Sequence, residues 1–202
     1  MNDQTCCFTG HQFPAEDLWA KLDHIRLAQE GVILEDLDLE QTCCFTGHRR
    51  IPRLVRVPLI ELLNEEIVNL IHQGVCYFGA GGALGFDTMA AFLVLRLKPR
   101  YPHIRLILVL PCKDQDKGWS EEDKKRYNLI LRYADKVVYI SEQYTPGCMH
   151  RRNRRLVDSS TFCICYLTDP KTGTAYTVKY AQSKGLRVLN LASPSRIPPP
   201  PV

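Results

Sequence analysis

The chain has 202 residues, 45% of them hydrophobic, enough to bury the full core of one domain with an extra segment beside it. No apolar run approaches the length of a membrane span, and the opening Met1–Thr5 lacks the basic and apolar regions of a signal peptide, so a cytoplasmic setting with no membrane partner is expected. The formal net charge of +4 hides an asymmetry: residues 1–40 carry nine acids and two bases, and residues 41–202 carry thirteen and twenty-four. The basic body is compatible with nucleic acid or with a phosphorylated small ligand, and charge alone does not choose between them.

In chain order, the first feature is a repeat. Gln4–His11 reads QTCCFTGH and recurs letter for letter as Gln41–His48. After the first copy, Pro14 opens a helical pattern ending at Gly31, followed by the apolar run Val32–Leu34. After the second, Pro58 opens a longer pattern (Leu59, Leu63, Ile67, Leu70, Ile71) ending at Gly74. The copies diverge where a binding site would begin. The first lacks counterparts of Arg49, Arg50 and Arg53, and its second strand leads into Glu35-Asp36-Leu37-Asp38, whose carboxylates would repel an anion. Residues 1–40 are therefore read as a degenerate, acidic partial repeat, residues 41–192 as the main domain, and residues 193–202 as a proline-rich tail.

From Thr42 onward strands and helices alternate. Strands are expected at 42–46, 75–78, 104–110, 136–140, 161–167 and 186–191, and helices near 58–73, 86–98, 120–134, 148–159 and 174–184. Ser120-Glu-Glu-Asp123 supplies a capping-box start for the third helix. Near-continuous apolar strands separated by helices imply an α/β protein: a Rossmann-like, doubly wound, mainly parallel sheet in a three-layer α/β/α sandwich. Ligands on such sheets bind outside the carboxyl ends of the strands, near a topological switch point.

The residues following each strand form the candidate site. Gly47, His48 and Arg49 follow the first. The second runs into Gly79-Ala-Gly-Gly-Ala-Leu-Gly-Phe-Asp87, in which Gly81, Gly82 and Gly85 could bring backbone amides close to a phosphate or could merely allow close strand–helix packing. Asp87, in the first turn of the next helix, reads as an acceptor for a ribose hydroxyl or as a dipole partner. His48 reads as a base, a phosphate ligand or a capped turn residue. Arg151, Arg152, Arg154 and Arg155 share one helix and cannot all face one way; Arg152 and Asn153 are taken toward the site. After the fifth strand, Gly173-Thr174 opens the last helix.

Known fingerprints fail here. The dinucleotide motif would need glycine at Leu84, and no Gly-Lys-Ser/Thr run exists, so an ordinary dinucleotide dehydrogenase and a P-loop NTPase are excluded and no cofactor is expected. Nor is a metal site expected. The nine cysteines form no C-x-x-C pair and lie mostly in strand-like runs, where they read as reduced, buried thiols.

Taken together, Thr46-Gly-His-Arg49, Gly81-Gly-Ala-Leu-Gly-Phe-Asp87, Tyr144–Asn153 and Gly173-Thr-Ala-Tyr-Thr177 resemble the YpsA-like branch of the SLOG superfamily, over about residues 42–191. That superfamily also holds the DprA/Smf DNA-processing proteins and the LOG phosphoribohydrolases. The resemblance implies a bacterial or phage protein that binds a nucleotide-derived small molecule, and a homo-oligomer. LOG enzymes carry P-G-G-x-G-T-x-x-E, whose glutamate takes part in glycosidic cleavage. Here the matching stretch ends in Thr177, which cannot act as a carboxylate. The expectation is therefore a binding protein or sensor. An enzyme using Asp87 or His48 in that glutamate's place is the alternative. DprA-like binding of single-stranded DNA is a further one, and nucleic acid is not the expected partner because aromatic residues do not cluster on a basic strand face.

Overall fold

A computed structural model of the chain describes residues 42–193. The first repeat copy, the acidic segment 1–40 and the proline-rich stretch from 194 onward lie outside the described residues. The elements run β1 (Thr42–Gly47), α1 (Arg53–His72), β2 (Tyr77–Ala80), α2 (Phe86–Leu97), β3 (Arg105–Leu110), α3 (Glu121–Tyr133), β4 (Lys136–Tyr139), α4 (Cys148–Asp158), β5 (Phe162–Tyr166), α5 (Gly173–Ser183) and β6 (Arg187–Asn190). The six strands form one sheet in the order β4-β3-β2-β1-β5-β6, and every neighbouring pair is parallel. The chain steps outward from β1 to β4 and then returns to the other side of β1 with β5. The switch point therefore lies between β1 and β5.

Period-2 alternation of strand side chains explains the layers. Cys43 and Phe45 of β1, Leu106, Leu108 and Leu110 of β3, and Ile164 and Tyr166 of β5 join the large core with α1, α2 and α3. Their neighbours Cys44, Ile107, Val109, Cys163 and Cys165 point the other way, into a smaller core with Leu156 and Val157 of α4 and Val178 and Ala181 of α5. Each such fully buried aliphatic side chain contributes roughly 1.5–3 kcal/mol of transfer free energy. All seven cysteines among the described residues are free thiols, and six of them are buried.

The structure revises two boundaries. Helix α1 begins at Arg53 rather than Pro58. Pro52 is the N-cap, where its φ of −55° fits, and Val55 N–H donates to its carbonyl at 3.2 Å. Pro58 then lies inside the helix and denies Leu54 an intrahelical donor; the turn is tolerated because it is peripheral, with Leu54 74% exposed. Strand β2 runs through Gly79, which therefore is not a loop glycine. Gly79 pairs with Cys44 and Ile107, and a Cβ there would come within 2.9 Å of Leu156 Cδ2 in α4. The missing side chain lets the helix settle on the sheet. The N-cap half of the capping box forms: Ser120 Oγ accepts from Asp123 N–H at 3.1 Å, and the hydroxyl, not the Ser120 amide, donates to Asp123 Oδ2 at 2.7 Å.

Candidate functional site

A cavity of about 330 Å³ opens at the carboxyl ends of β1 and β5, where the switch point places it. Of the eleven residues singled out from the sequence, Gly47, His48, Arg49, Asp87, Arg152, Asn153, Gly173 and Thr174 line it. Gly81, Gly82 and Gly85 do not.

The loop glycines are taken up by the protein's own atoms. At Gly81 the space a side chain would fill holds the guanidinium of Arg152. At Gly82 it abuts Leu110 Cδ2, 2.6 Å from an added Cβ, and the side chain of Gln115, which donates to the Gly82 carbonyl at 2.9 Å. Gly85, the N-cap of α2, has φ 81° and ψ −118° and packs against the backbone carbonyls of His48 and Arg49. That contact clamps the β1–α1 loop to the start of α2, and Phe86 N–H donates to the His48 carbonyl at 3.2 Å. Gly173 differs from all of these. It is exposed, and nothing lies within 4 Å of where its Cβ would be.

Gly173 and Thr174 form the first turn of α5, whose unpaired amides and dipole favour an anion. Thr172 caps the helix, its hydroxyl accepting from Ala175 N–H at 3.4 Å and donating to the Asp169 carbonyl at 2.9 Å. Thr177, one turn on, is buried. Its hydroxyl donates to the Gly173 carbonyl at 2.9 Å and accepts from Asn153 Nδ2 at 2.8 Å, which fixes Asn153 at the cavity wall.

Asp87 and Arg152 are a buried pair across the cavity floor, with side chains 6% and 7% exposed and Nη1 to Oδ2 at 3.4 Å. Asp87 Oδ2 also accepts from Gly81 N–H at 3.1 Å. Burial pushes the Asp87 carboxyl above its ordinary range, against the pull of Arg152 and of the amides of Ala83 and Gly81. Burial lowers Arg152 from its ordinary value, with Asp87 opposing and Arg49 adding to the effect. Both directions have one cause: desolvation outweighs the attraction across the pair. Arg152 Nε is buried and has no hydrogen-bond partner among the described residues.

The other arginines of α4 are spent elsewhere. Arg151 donates to Thr145 and Ser141, Arg154 donates to the Tyr176 hydroxyl and lies over the rings of Tyr176 and Tyr180, and Arg155 is exposed. Cys148, Arg152 and Leu156 are spaced four apart on the buried face, which is why Arg152 alone of the four is turned inward.

His48 holds two loops together. Its Nε2 accepts from the amides of Thr168 at 2.9 Å and Asp169 at 3.4 Å, and its ring meets Tyr166 edge-on at 5.9 Å. These bonds assign the proton to Nδ1. Arg49 is exposed at the cavity mouth and has no ion-pair partner among the described residues. Phe45, Thr46, Ala83, Met149 and Thr172 complete the lining; nothing in the type of Phe45, Ala83 or Met149 signals a site. No group of three or more His, Cys, Asp or Glu side chains among the described residues could hold a metal ion, and none of the described helices is long and apolar enough to cross a membrane.

The YpsA family model, described as the YspA SLOG family, matches residues 55–188. The chain belongs to the YspA SLOG family. This SLOG chain is 33% identical over 117 residues to an uncharacterized SPbeta prophage-derived protein, YoqJ, of Bacillus subtilis (strain 168), covering 52% of itself and 68% of YoqJ. To a UPF0398 protein of Halalkalibacterium halodurans it is 32% identical over 123 residues, covering 59% of itself and 65% of that protein. Among solved structures it superposes on DNA processing protein A of Helicobacter pylori, reported for its single-stranded DNA binding mode, with a TM-score of 0.54 at 20% identity, covering 77% of this chain and 65% of that one. DprA of Streptococcus pneumoniae gives 0.54 at 17% identity, covering 74% and 49%. At such identities these two neighbours establish the shared Rossmann-like fold. The chain thus spans about two thirds of those curated relatives and half to two thirds of those solved chains.

Proposed function

We propose that this SLOG protein binds a nucleotide or nucleotide-derived small molecule in the cavity between β1 and β5, as a sensor or binding protein. The carrying observation is that the first turn of α5, the buried Arg152 and the exposed Arg49, which has no ion-pair partner among the described residues, line one cavity. Its single lining carboxylate, Asp87, is already engaged by Arg152 and Gly81. An anionic group, in this reading a phosphate, sits on Gly173 and Thr174, with Arg152 and Arg49 offsetting its charge. Asn153 and the rim from Gly47 to His48 then face the sugar or base.

The reading is of binding rather than glycosidic cleavage. Thr177 occupies the position of the LOG glutamate and is closed into a bond with Gly173, and the Asp87 carboxylate is held by its buried partners. The domain 41–192 is taken as the binding unit, with residues 1–40 and 193–202 as appendages, and the cytoplasm as its setting.

Binding of single-stranded DNA is the second reading. It is favoured by the exposed Arg151, Arg154 and Arg155 beside the cavity and by the superposition on a DprA reported to bind such strands. That likeness weighs against setting nucleic acid aside on sequence grounds alone. Calorimetry of the full chain against nucleoside mono-, di- and triphosphates and against an oligodeoxythymidine, at two salt concentrations, separates the readings. The first expects a saturable nucleotide isotherm abolished by Gly173→Asp, a change for which the structure has open space. Binding of the oligonucleotide alone, with steep salt dependence, would favour the second.

A further inference from the structure

A second cavity, of about 250 Å³, adjoins the first, and Arg49 lines both. Gly85 lies in its wall, pressed against the Arg49 carbonyl. Its lining includes the apolar side chains of Ile51, Leu84 and Met89 and the cations Arg49, Arg56 and Arg126. The single carboxylate in its lining, Asp123, is neutralised locally: it takes a hydrogen bond from Ser120 at 2.7 Å and pairs with Arg126 at 3.3 Å. Arg126 also pairs with Glu122. Arg49 and Arg56 have no ion-pair partner among the described residues, and Arg56 is held by one bond, from its Nε to the Ile51 carbonyl at 3.1 Å. That bond leaves the terminal nitrogens of Arg56 free to serve an anion. Each cavity lies near or below the small end of ligand pockets, roughly 300–1,000 Å³. Arg49 lines both, and their volumes taken together fall inside that range.

We infer that the second cavity is an anion subsite of the same binding site, so that the ligand carries two separated anionic groups, one on the first turn of α5 and one between Arg49 and Arg56. The inference rests on the nucleotide reading of the first cavity. It selects within that class for molecules such as nucleoside bisphosphates over those with a single phosphate. Arg49, shared by both cavities, neutralises whichever part of the ligand passes between them.

The test is calorimetry of the full chain with adenosine 5′-monophosphate and adenosine 3′,5′-bisphosphate, and with the corresponding guanosine pair. Wild-type protein is expected to bind at least one bisphosphate tenfold or more tightly than its monophosphate. Arg56→Ala should reduce that advantage to less than twofold while leaving the monophosphate affinity within twofold, and Arg56→Lys should retain most of the advantage. Thermal melts confirm that both variants are folded. Monophosphate binding with no bisphosphate advantage, or an Arg56→Ala effect equal on both ligands or absent from both, overturns the two-anion inference and leaves the first cavity as read. Failure of all four ligands to bind overturns both.

Discussion

Replacing Gly85 with alanine is the sharpest test of how the glycine loop works. Gly85 has φ 81° and ψ −118°, a region essentially closed to residues with a Cβ, and adopting it costs of order 1–3 kcal/mol. The added methyl also meets the carbonyls of His48 and Arg49, backbone atoms that cannot rotate away, and such overpacking costs typically 1–3 kcal/mol more. The expected loss is therefore about 4 kcal/mol, a large share of the roughly 5–15 kcal/mol that stabilises a domain. At about 2–4 °C per kcal/mol for a chain of this size, the melting temperature should fall by about 8–16 °C. Urea denaturation measures the loss directly. Gly173→Ala is the control: it has open space and no positive φ, and should stay within about 0.5 kcal/mol of wild type. A cost under about 1 kcal/mol for Gly85→Ala, or equal costs at the two positions, would refute the view that one glycine serves the protein's own packing and the other leaves room for a ligand.

Two further predictions concern charge. Lys98 Nζ pairs with Asp135 Oδ1 at 2.7 Å, with side chains 3% and 7% exposed, at the amino end of the sheet. Lys98→Met strands a buried carboxylate and should cost about 3 kcal/mol in urea denaturation, somewhat offset by Leu106 N–H at 2.7 Å and Arg105, while ligand affinity stays unchanged because the site is at the other end of the strands. For Asp87, burial raises the folded-state pKa above the unfolded value of about 3.9. The folded protein then binds this proton more tightly. The group's stabilising contribution is complete below the unfolded pKa and is lost as pH rises through the folded one. Asp87→Asn removes that loss. Stability relative to wild type, from urea melts between pH 3.5 and 7, should therefore shift in favour of Asp87→Asn as pH rises; a shift in favour of wild type would contradict the direction.

The sheet was readable because buried parallel strands need continuous apolar runs, and Cys43-Cys44-Phe45, Leu106–Leu110 and Cys163–Tyr166 supply them. The family was readable from the order of its loops, since those loops meet at the carboxyl ends of the strands. The start of α1 was not, because proline reads as a breaker wherever it falls. Only the tertiary fact that the turn around Leu54 faces outward makes Pro58 tolerable inside the helix. The same misread start hid Arg56. Counted from Arg53, it falls one turn on and beside the second cavity. Glycine identity misled in a different way. Gly79, Gly81 and Gly173 look alike in a sequence, but one admits Leu156, one admits Arg152 and one admits nothing of the protein, a distinction that exists only after helices and sheet are packed.

The measurement that bears most directly on the binding site is a titration of the uniformly ¹⁵N-labelled chain with nucleoside monophosphates, followed by amide and arginine side-chain resonances. The α5 N-terminus as an anion seat predicts saturable shifts that are largest at the Gly173 and Thr174 amides and at Arg152 Nε–H. Saturable binding that leaves those three unmoved, or no saturable shift with any nucleoside monophosphate, would contradict it.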